Sequence, residues 1–495
     1  MERIDTSPQH LNAATGDGRL NAEALRSELL GELITPADEA YHSTAGRLVW
    51  NADIDKYPAG IVRCADVADV LAAIRFSREQ GLPIAVRCAG HNISGSSTIE
   101  GGLVIDLRPM RGVRVDPGRQ SVRAQAGCTW RDVDHATAAF GLATTGGVNS
   151  ITGIAGLTLG GGIGWLMRDH GLACDNLIGA DVVTAEGDFV TCSASTNSDL
   201  FWGLRGGGGN FGIVTEFEYQ LHPVDVVLSG TLMWPAEKAR DVLRLYREFS
   251  QDEPRSLTTF LFLLDAPEGP FLPSDLHGKP MIAIAGCFAG DLEEGNRAFA
   301  PLRAFGPPVA DSIAPMRYRD LQCSSDAEWQ NGFGRYWKSD YMDDLTDPAI
   351  DIIVDHCARY VRPKMPTRAT DELVAQPSLY FELGHMAGAI RDLDPASTAV
   401  GHRDAAFLHV ITTRWSRPED REIQVQWARD LWQALSPFTR PGGYVNYLGS
   451  EGADRVRDSY GQDKYDRLVE LKTAYDPTNV FASNQNIQPR ERLTT

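Results

Sequence analysis

No run of lysine or arginine occurs in the 495 residues, and the formal charge is −19. A duplex-binding surface needs a basic stripe, which argues against nucleic acid as a partner. The acidity also disfavours anionic membranes and leaves any anionic ligand to local backbone dipoles. No apolar stretch approaches ~18 uninterrupted residues, so no membrane span is predicted. Residues 1–20 are polar, with no basic segment leading into an apolar run, and no secretory signal is read there. The eight cysteines (64, 88, 128, 174, 192, 287, 323 and 357) are scattered. They form neither a C-x-x-C pair nor a zinc spacing. No metal site is therefore expected, and the thiols read as buried and free in a reducing, cytoplasmic compartment. Also missing are G-x-x-x-x-G-K-[ST], G-x-S-x-G and H-E-x-x-H, the marks of phosphate loops, hydrolase elbows and zinc proteases.

What remains is a chain long enough for two large domains, with 43% hydrophobic residues. The first forty residues are polar and read as surface or partly disordered. From Trp50 onward helix and strand patterns alternate. Asp66 is placed to cap a helix whose Val67, Val70, Leu71 and Ile74 share one face, and Gly81 ends it. A strand is predicted over Pro83–Val86 and another over Leu103–Leu107. Thr129 and Asp132 form a capping pair for a helix closed by Gly141. Glycine loops stop near Val226, where long helix and strand patterns begin. The character changes again at Gly442, with a Tyr/Asn strand, a helix over Asp463–Tyr475 and a tail rich in Pro and Asn.

Four segments could carry chemistry. Arg87-Cys88-Ala89-Gly90-His91-Asn92 follows a strand, and its small residues can turn several N–H groups into one concave turn. Between Gly146 and Gly164 stand eight glycines in nineteen residues, too many for an ordinary helix at up to ~1 kcal/mol each. A backbone lying against a ligand explains them better than a structural turn. Gly207-Gly208-Gly209-Asn210-Phe211-Gly212 fits G-x-G-x-x-G, but a helix-like stretch, Ser198–Leu204, precedes it and an alternating strand follows. A dinucleotide fingerprint needs the reverse order, so a Rossmann site is rejected. The fourth segment is Tyr444-Val445-Asn446-Tyr447; on a strand, Tyr444 and Asn446 would share one face and Tyr447 the other.

Together these motifs resemble the vanillyl-alcohol oxidase / p-cresol methylhydroxylase superfamily of flavoproteins. Within it the chain resembles the berberine-bridge-enzyme-like group and the 6-hydroxy-D-nicotine oxidases. The likeness covers nearly everything after residue 45 and is strongest at 87–92, 147–171, 201–215 and 475–489. It implies an α+β protein with a two-part FAD domain, residues 1–225 with 442–495 returning to it. Residues 226–441 would form a substrate domain with a large antiparallel sheet covered by helices. It also implies FAD bonded covalently through the histidine of R-x-x-G-H-[SN], here His91. The second anchor of many members, the cysteine of G-x-C-P-x-V-G-x-x-G, is replaced by Asn149, so no second link can form; Cys174 lies outside that motif. By the same resemblance Arg87, Cys88, Ala89, Gly90, Asn92, Gly153, Gly156, Gly160, Gly209 and Val214 line the cofactor. Tyr444 and Asn446 reach the flavin ring.

Flavin oxidation needs a base for the substrate O–H or N–H proton and a C–H bond aimed at flavin N5. Tyr447 matches the tyrosine that related plant enzymes place above the ring, and it is taken as the principal base. Glu382 assists, with Tyr380 and Gly384 expected on the same face of their strand. The glutamate base of berberine bridge enzyme has Gly388 as its nearest match. Thr152 lies where these enzymes gate dioxygen. The expected activity is hydride transfer from a small alcohol, hemiacetal or amine to FAD, with O2 reduced to H2O2, in a monomer or homodimer. A dehydrogenase with another acceptor and a non-catalytic flavin-binding protein are the alternatives.

Overall fold

The computed structural model describes residues 21–268, 272–363 and 379–491. Of the first forty residues, read above as surface or partly disordered, residues 1–20 lie outside them, whereas 21–40 contain the helix Ala22–Arg26 and the strand Glu32–Ile34, and Leu25, Leu33 and Ile34 are buried because they pack into the core. The architecture is α+β, built on two small sheets, one large sheet and a two-stranded pair.

Near the N-terminus the Asp66 carboxylate accepts the Asp69 N–H at 3.2 Å and starts the helix Val67–Gln80. This helix buries Val70 and Ile74 and stops at Gly81, whose φ of 64° suits a residue without a Cβ. The strand Ile84–Arg87 follows and pairs in parallel with Leu103–Asp106. Gly60–Arg63 lies on the other side of that strand, and Glu32–Ile34 closes the edge antiparallel. A second, antiparallel sheet runs Val113–Asp116, Ser121–Gln125, Ile213–Gln220, Leu177–Val183, Phe189–Ser193. Its long strand Ile213–Gln220 buries Phe217 and Tyr219 on one face, as strict alternation requires.

The large sheet has eight strands in antiparallel pairing. Its middle runs Val226–Pro235, Pro280–Phe288, Leu257–Asp265, Leu379–His385, Phe407–Trp415, Gly334–Met342. The helices Ala239–Phe249, Asp347–Cys357 and Arg421–Leu435 cover one face; Val242, Ile350 and Leu431 pack there with Leu261, Phe381 and Ile411. The other face meets the N-terminal half and the C-terminal segment, with Phe260, Tyr341 and Leu408 in one cluster with Ile163, Trp165 and Tyr444.

The chain end packs back onto the N-terminal half. The helix Gln462–Tyr475 puts Leu468 and Leu471 into the core that holds Phe201, Trp202 and Phe211. One turn away, Lys472 is wholly buried. Its ammonium donates to the Asn210 and Phe481 carbonyls at 2.9 and 3.0 Å and to Asp476 at 2.6 Å. Two further features differ from the sequence expectation. The glycine-dense stretch contains a short helix, Ile154–Leu159, with Gly156 inside it and Gly153 and Gly160 at its ends. Residues Val445–Tyr447 form a 3-10 turn instead of a strand. Side-chain bonds hold it: Asn446 Nδ2 donates to the Leu157 carbonyl at 2.9 Å and to the Tyr444 hydroxyl at 2.8 Å.

Candidate active site

One long cavity runs between the two small sheets and the inner face of the large sheet. Its walls come from the 84–97 loop, the 148–163 stretch, Gly208–Val214, the C-terminal tail and the large sheet. Chain-distant loops meet here because the buried Lys472 and Asn210 tie the tail to the third glycine loop. Asn210 donates to the Gln485 carbonyl at 3.2 Å and accepts the Ile487 N–H at 3.0 Å. Asn484 donates to the Gly209 carbonyl at 3.0 Å.

The described residues give the cavity no basic wall, so an anionic ligand there would have to be held by backbone dipoles. Among the described residues no lysine or arginine lines it, and Glu382 is the one charged side chain on its surface. The N–H groups of Gly90, His91 and Asn92 meet no protein acceptor among the described residues. Such a turn of free amides is how a backbone holds phosphate. A Cβ built at Gly156 or Gly209 would meet no atom within 4 Å, so both glycines keep their faces open to the cavity. Gly153 has another task. A Cβ there would lie 2.4 Å from Cys88 Sγ and 2.8 Å from the Ala89 nitrogen, so its bareness lets the 87–92 loop close over the second glycine stretch.

Of the expected lining residues, Cys88, Ala89, Gly90, His91, Asn92, Asn149, Thr152, Gly153, Gly156, Gly209, Val214, Tyr444 and Asn446 face the cavity. Asn92 also shapes its own loop, accepting the Ser94 and Ser96 N–H groups at 2.9 and 3.3 Å. Thr152 Oγ1 donates to Asn149 Oδ1 at 2.7 Å, which fixes both side chains on the cavity wall. Burial holds the Cys88 thiol up at about 11, and Cys174 is buried away from the cavity, so neither is a ready thiolate.

Three expected residues lie elsewhere. Arg87 is buried behind the loop, where its guanidinium donates to Asp106 at 3.0 Å. It braces the strand from which the loop springs. Gly160 faces Asn446 and not the cavity: a Cβ there would lie 2.1 Å from Asn446 Oδ1. Tyr380 does not share the inner face with Glu382. The register between Leu379–His385 and Leu257–Asp265 shifts between Leu263 and Leu264, opposite residues 379–381, and this irregularity breaks strict alternation. Tyr380 therefore packs in the helix-covered core, stacked on Tyr360 with ring centroids 4.9 Å apart.

Glu382 reaches the cavity from the strand Leu379–His385, and no hydrogen-bond partner holds it among the described residues. Burial raises its carboxyl to about 7. Tyr447 enters from the 3-10 turn, its ring edge-on to Trp337 at 5.2 Å and to Tyr444 at 4.9 Å. Burial, and next the nearby Glu382 charge, push its phenol well above the ordinary tyrosine value. The sequence reading missed an aromatic wall. Trp50, Trp329 and Trp337 pack against one another at centroid distances between 5.5 and 6.1 Å, and all three line the cavity. The residues are spread over nearly three hundred positions, so no local pattern marked them.

Comparison with known proteins fits this geometry. Residues 58–193 match the FAD binding domain family, and residues 443–488 match the berberine and berberine-like family. An FAD-linked oxidoreductase of Dictyostelium discoideum is 32% identical over 444 residues, which are 89% of this chain and 91% of the relative. The (R)-6-hydroxynicotine oxidase of Paenarthrobacter nicotinovorans is 31% identical over 474 residues, covering 93% of this chain and 97% of that enzyme. The crystal structure of 6-hydroxy-D-nicotine oxidase from Arthrobacter nicotinovorans superposes with a TM-score of 0.82 at 29% identity, covering 93% of this chain and 98% of that one. With the open glycine faces and free amides described above, these likenesses place the protein among the FAD-dependent oxidoreductases of the berberine-bridge-like group, within the vanillyl-alcohol oxidase / p-cresol methylhydroxylase superfamily.

Proposed function

We propose that the protein is an oxidase that carries FAD covalently on His91 and takes a hydride from a small, ring-bearing, neutral or cationic substrate, with dioxygen as final acceptor. The observation that carries this reading is the lining of one cavity: His91 and the free amides of the 87–92 loop, together with Glu382 and Tyr447 from the large sheet and the C-terminal turn. Bound there, FAD supplies the hydride acceptor at N5.

The chain's own groups divide the remaining work. Trp329, Trp337 and Tyr447 offer flat apolar faces on which a ring can stack. The lone carboxylate disfavours an anionic substrate and suits an O–H or N–H donor. Glu382 takes the substrate proton. A carboxyl near 7 is half ionised at neutral pH, whereas a phenol pushed above 10 is a poor acceptor. This ranks Glu382 ahead of Tyr447, the reverse of the order drawn from the motif alone. Tyr447 then orients the substrate oxygen or nitrogen toward Glu382. Thr152, tied to Asn149, borders the space through which dioxygen approaches.

The test uses the protein as purified with its flavin. Acid precipitation should leave the pellet yellow, and His91→Ala should release all flavin to the supernatant. An anaerobic compound panel should contain members that bleach the flavin, and air should restore the colour with one peroxide formed per substrate. Flavin kept in the acid pellet of His91→Ala would overturn the covalent reading. Colour that returns with an artificial acceptor and not with air would make the protein a dehydrogenase.

A further inference from the structure

Arg335 is 4% exposed, yet no carboxylate lies within ion-pair distance of it among the described residues. Its Nη2 donates to the Gln330 carbonyl at 2.7 Å, while its Nε is buried with no acceptor. A buried guanidinium without a counter-charge is costly, and a methionine of similar length would fill the space at less cost. What the cation does have is aromatic faces. Its central carbon stands 4.2 Å from the ring centre of Trp50. Trp50 in turn stacks on His91, with ring centroids 5.0 Å apart and planes within 11°.

This stack is pinned from several sides. Trp50 Nε1 donates to the Trp329 carbonyl at 2.7 Å, and its backbone N–H to the Gly90 carbonyl at 3.3 Å. Asn51 joins the two parts of the molecule: Oδ1 accepts the Arg335 N–H at 2.9 Å, and Nδ2 donates to the Arg335 and Ile93 carbonyls, each at 3.1 Å. The His91 ring makes no hydrogen bond among the described residues, so stacking is what sets its plane.

We propose that Arg335, acting through Trp50, is a positioning residue for flavin attachment: the platform sets the plane of the His91 ring and keeps a ring nitrogen free to bond the flavin. This rests on the reading that His91 is the covalent anchor. Attachment exchanges one hydrogen of the flavin 8α-methyl group and the imidazole N–H hydrogen for a carbon–nitrogen bond. The two electrons and two protons released reduce one dioxygen to hydrogen peroxide. Only the neutral imidazole has the lone pair that this bond needs. Burial and then the Arg335 charge lower His91 to about 4, opposed by Asp326. Asp326 is itself engaged by Arg131 at 2.7 Å and by the Ser150 N–H at 3.0 Å, so Arg335 is the charge that acts on the ring with least compensation.

The experiment follows attachment and not turnover. Full-length protein made without flavin is mixed with FAD in air. Total binding is read from flavin fluorescence, and covalent binding from flavin in the acid pellet, between pH 5 and pH 8. Arg335→Gln loses both the stack and the charge, so it should bind FAD but attach it several-fold more slowly at every pH, and up to about twofold more slowly again at pH 5, where a ring titrating near that pH is only about half neutral. Toward pH 8 only the deficit from the lost stack should remain. Arg335→Lys keeps the charge and loses the planar stack, so its pH profile should stay close to wild type with a lower rate throughout. Arg335→Gln and Arg335→Lys proteins that attach FAD at the wild-type rate at every pH would overturn the inference, and either one suffices if the other does not fold. His91→Ala runs alongside. If it retains acid-stable flavin, the anchor reading and this inference fall together. If it loses all flavin while the Arg335 variants behave as wild type, this inference alone falls.

Discussion

Asn446 occupies the space that a side chain at Gly160 would need, with its Oδ1 2.1 Å from the position of a Cβ there. Asn446 cannot turn aside freely, because its Nδ2 is bonded to the Leu157 carbonyl and the Tyr444 hydroxyl, and that hydroxyl also accepts the Gly162 N–H at 2.6 Å. Gly160→Val should therefore unseat the 444–447 turn and lower Tm as well as flavin loading. Gly156→Val points into open cavity and should leave Tm of the flavin-free protein nearly unchanged while abolishing loading. Thermal unfolding and the flavin-to-protein ratio check both; a soluble, fully loaded Gly160→Val protein would contradict the packing described.

Removing the carboxylate at Glu382 should slow flavin reduction by ~10²–10⁴-fold in Glu382→Gln, the usual worth of a general base. In the wild type the rate should fall as pH drops below about 7, where Glu382 takes up a proton. That acidic limb should vanish in the glutamine variant. Tyr447→Phe should cost less and keep the limb. Anaerobic stopped-flow decides between the two. A tyrosine variant that loses more rate than the glutamine variant would return the base role to Tyr447.

The same burial has a price in stability. The Glu382 carboxyl is raised from 4.5 to about 7, so between these values the folded state holds a proton that the unfolded chain has lost. Stability then falls as pH rises through that window and stays lower above it, by a few kcal/mol at most. Glu382→Gln should raise Tm at pH 8 and leave it unchanged at pH 4.5. Equal Tm differences at both values would show that the carboxylate is not desolvated.

Thr152 lies on the cavity wall with its hydroxyl bonded to Asn149. Thr152→Leu adds bulk and loses that bond. Flavin reoxidation by air should slow by at least ~10-fold, with anaerobic reduction nearly unchanged. Double-mixing stopped-flow separates the two half-reactions, and equal reoxidation rates would remove Thr152 from oxygen access.

Lys472 and Asp476 are both wholly buried, 2.6 Å apart. Lys472→Met strands the carboxylate and cuts two bonds that hold the tail to the third glycine loop. A loss of about 3–5 kcal/mol is expected. Lys472→Met with Asp476→Leu should recover part of it, since neither charge is then left alone. Denaturant unfolding of the single and double variants measures this, and a single variant within 1 kcal/mol of wild type would show that the pair carries little.

Much of this protein is written locally in its sequence. The Asp66 cap and Gly81 stop bound the helix 67–80, and alternation marks the strand 213–220, because caps, left-handed glycines and period-two burial act within a few residues. The inverted order around Gly207–Gly212 was enough to reject a Rossmann site. The ordered motifs were enough for the flavoprotein family, since each is a short backbone shape that only certain residues allow. Tertiary structure decided the rest. An irregularity in strand register sent Tyr380 to the helix-covered face, and no count along the chain reveals a bulge before pairing partners are known. Contacts with Leu157 and Gly160 made a turn of 445–447 where propensity suggested a strand. Trp50, Trp329, Trp337 and Arg335 became one wall beside His91 only when the chain closed on itself. The lowered proton affinity of His91 and the raised one of Glu382 come from that closure, because both depend on how much water the fold leaves around each group.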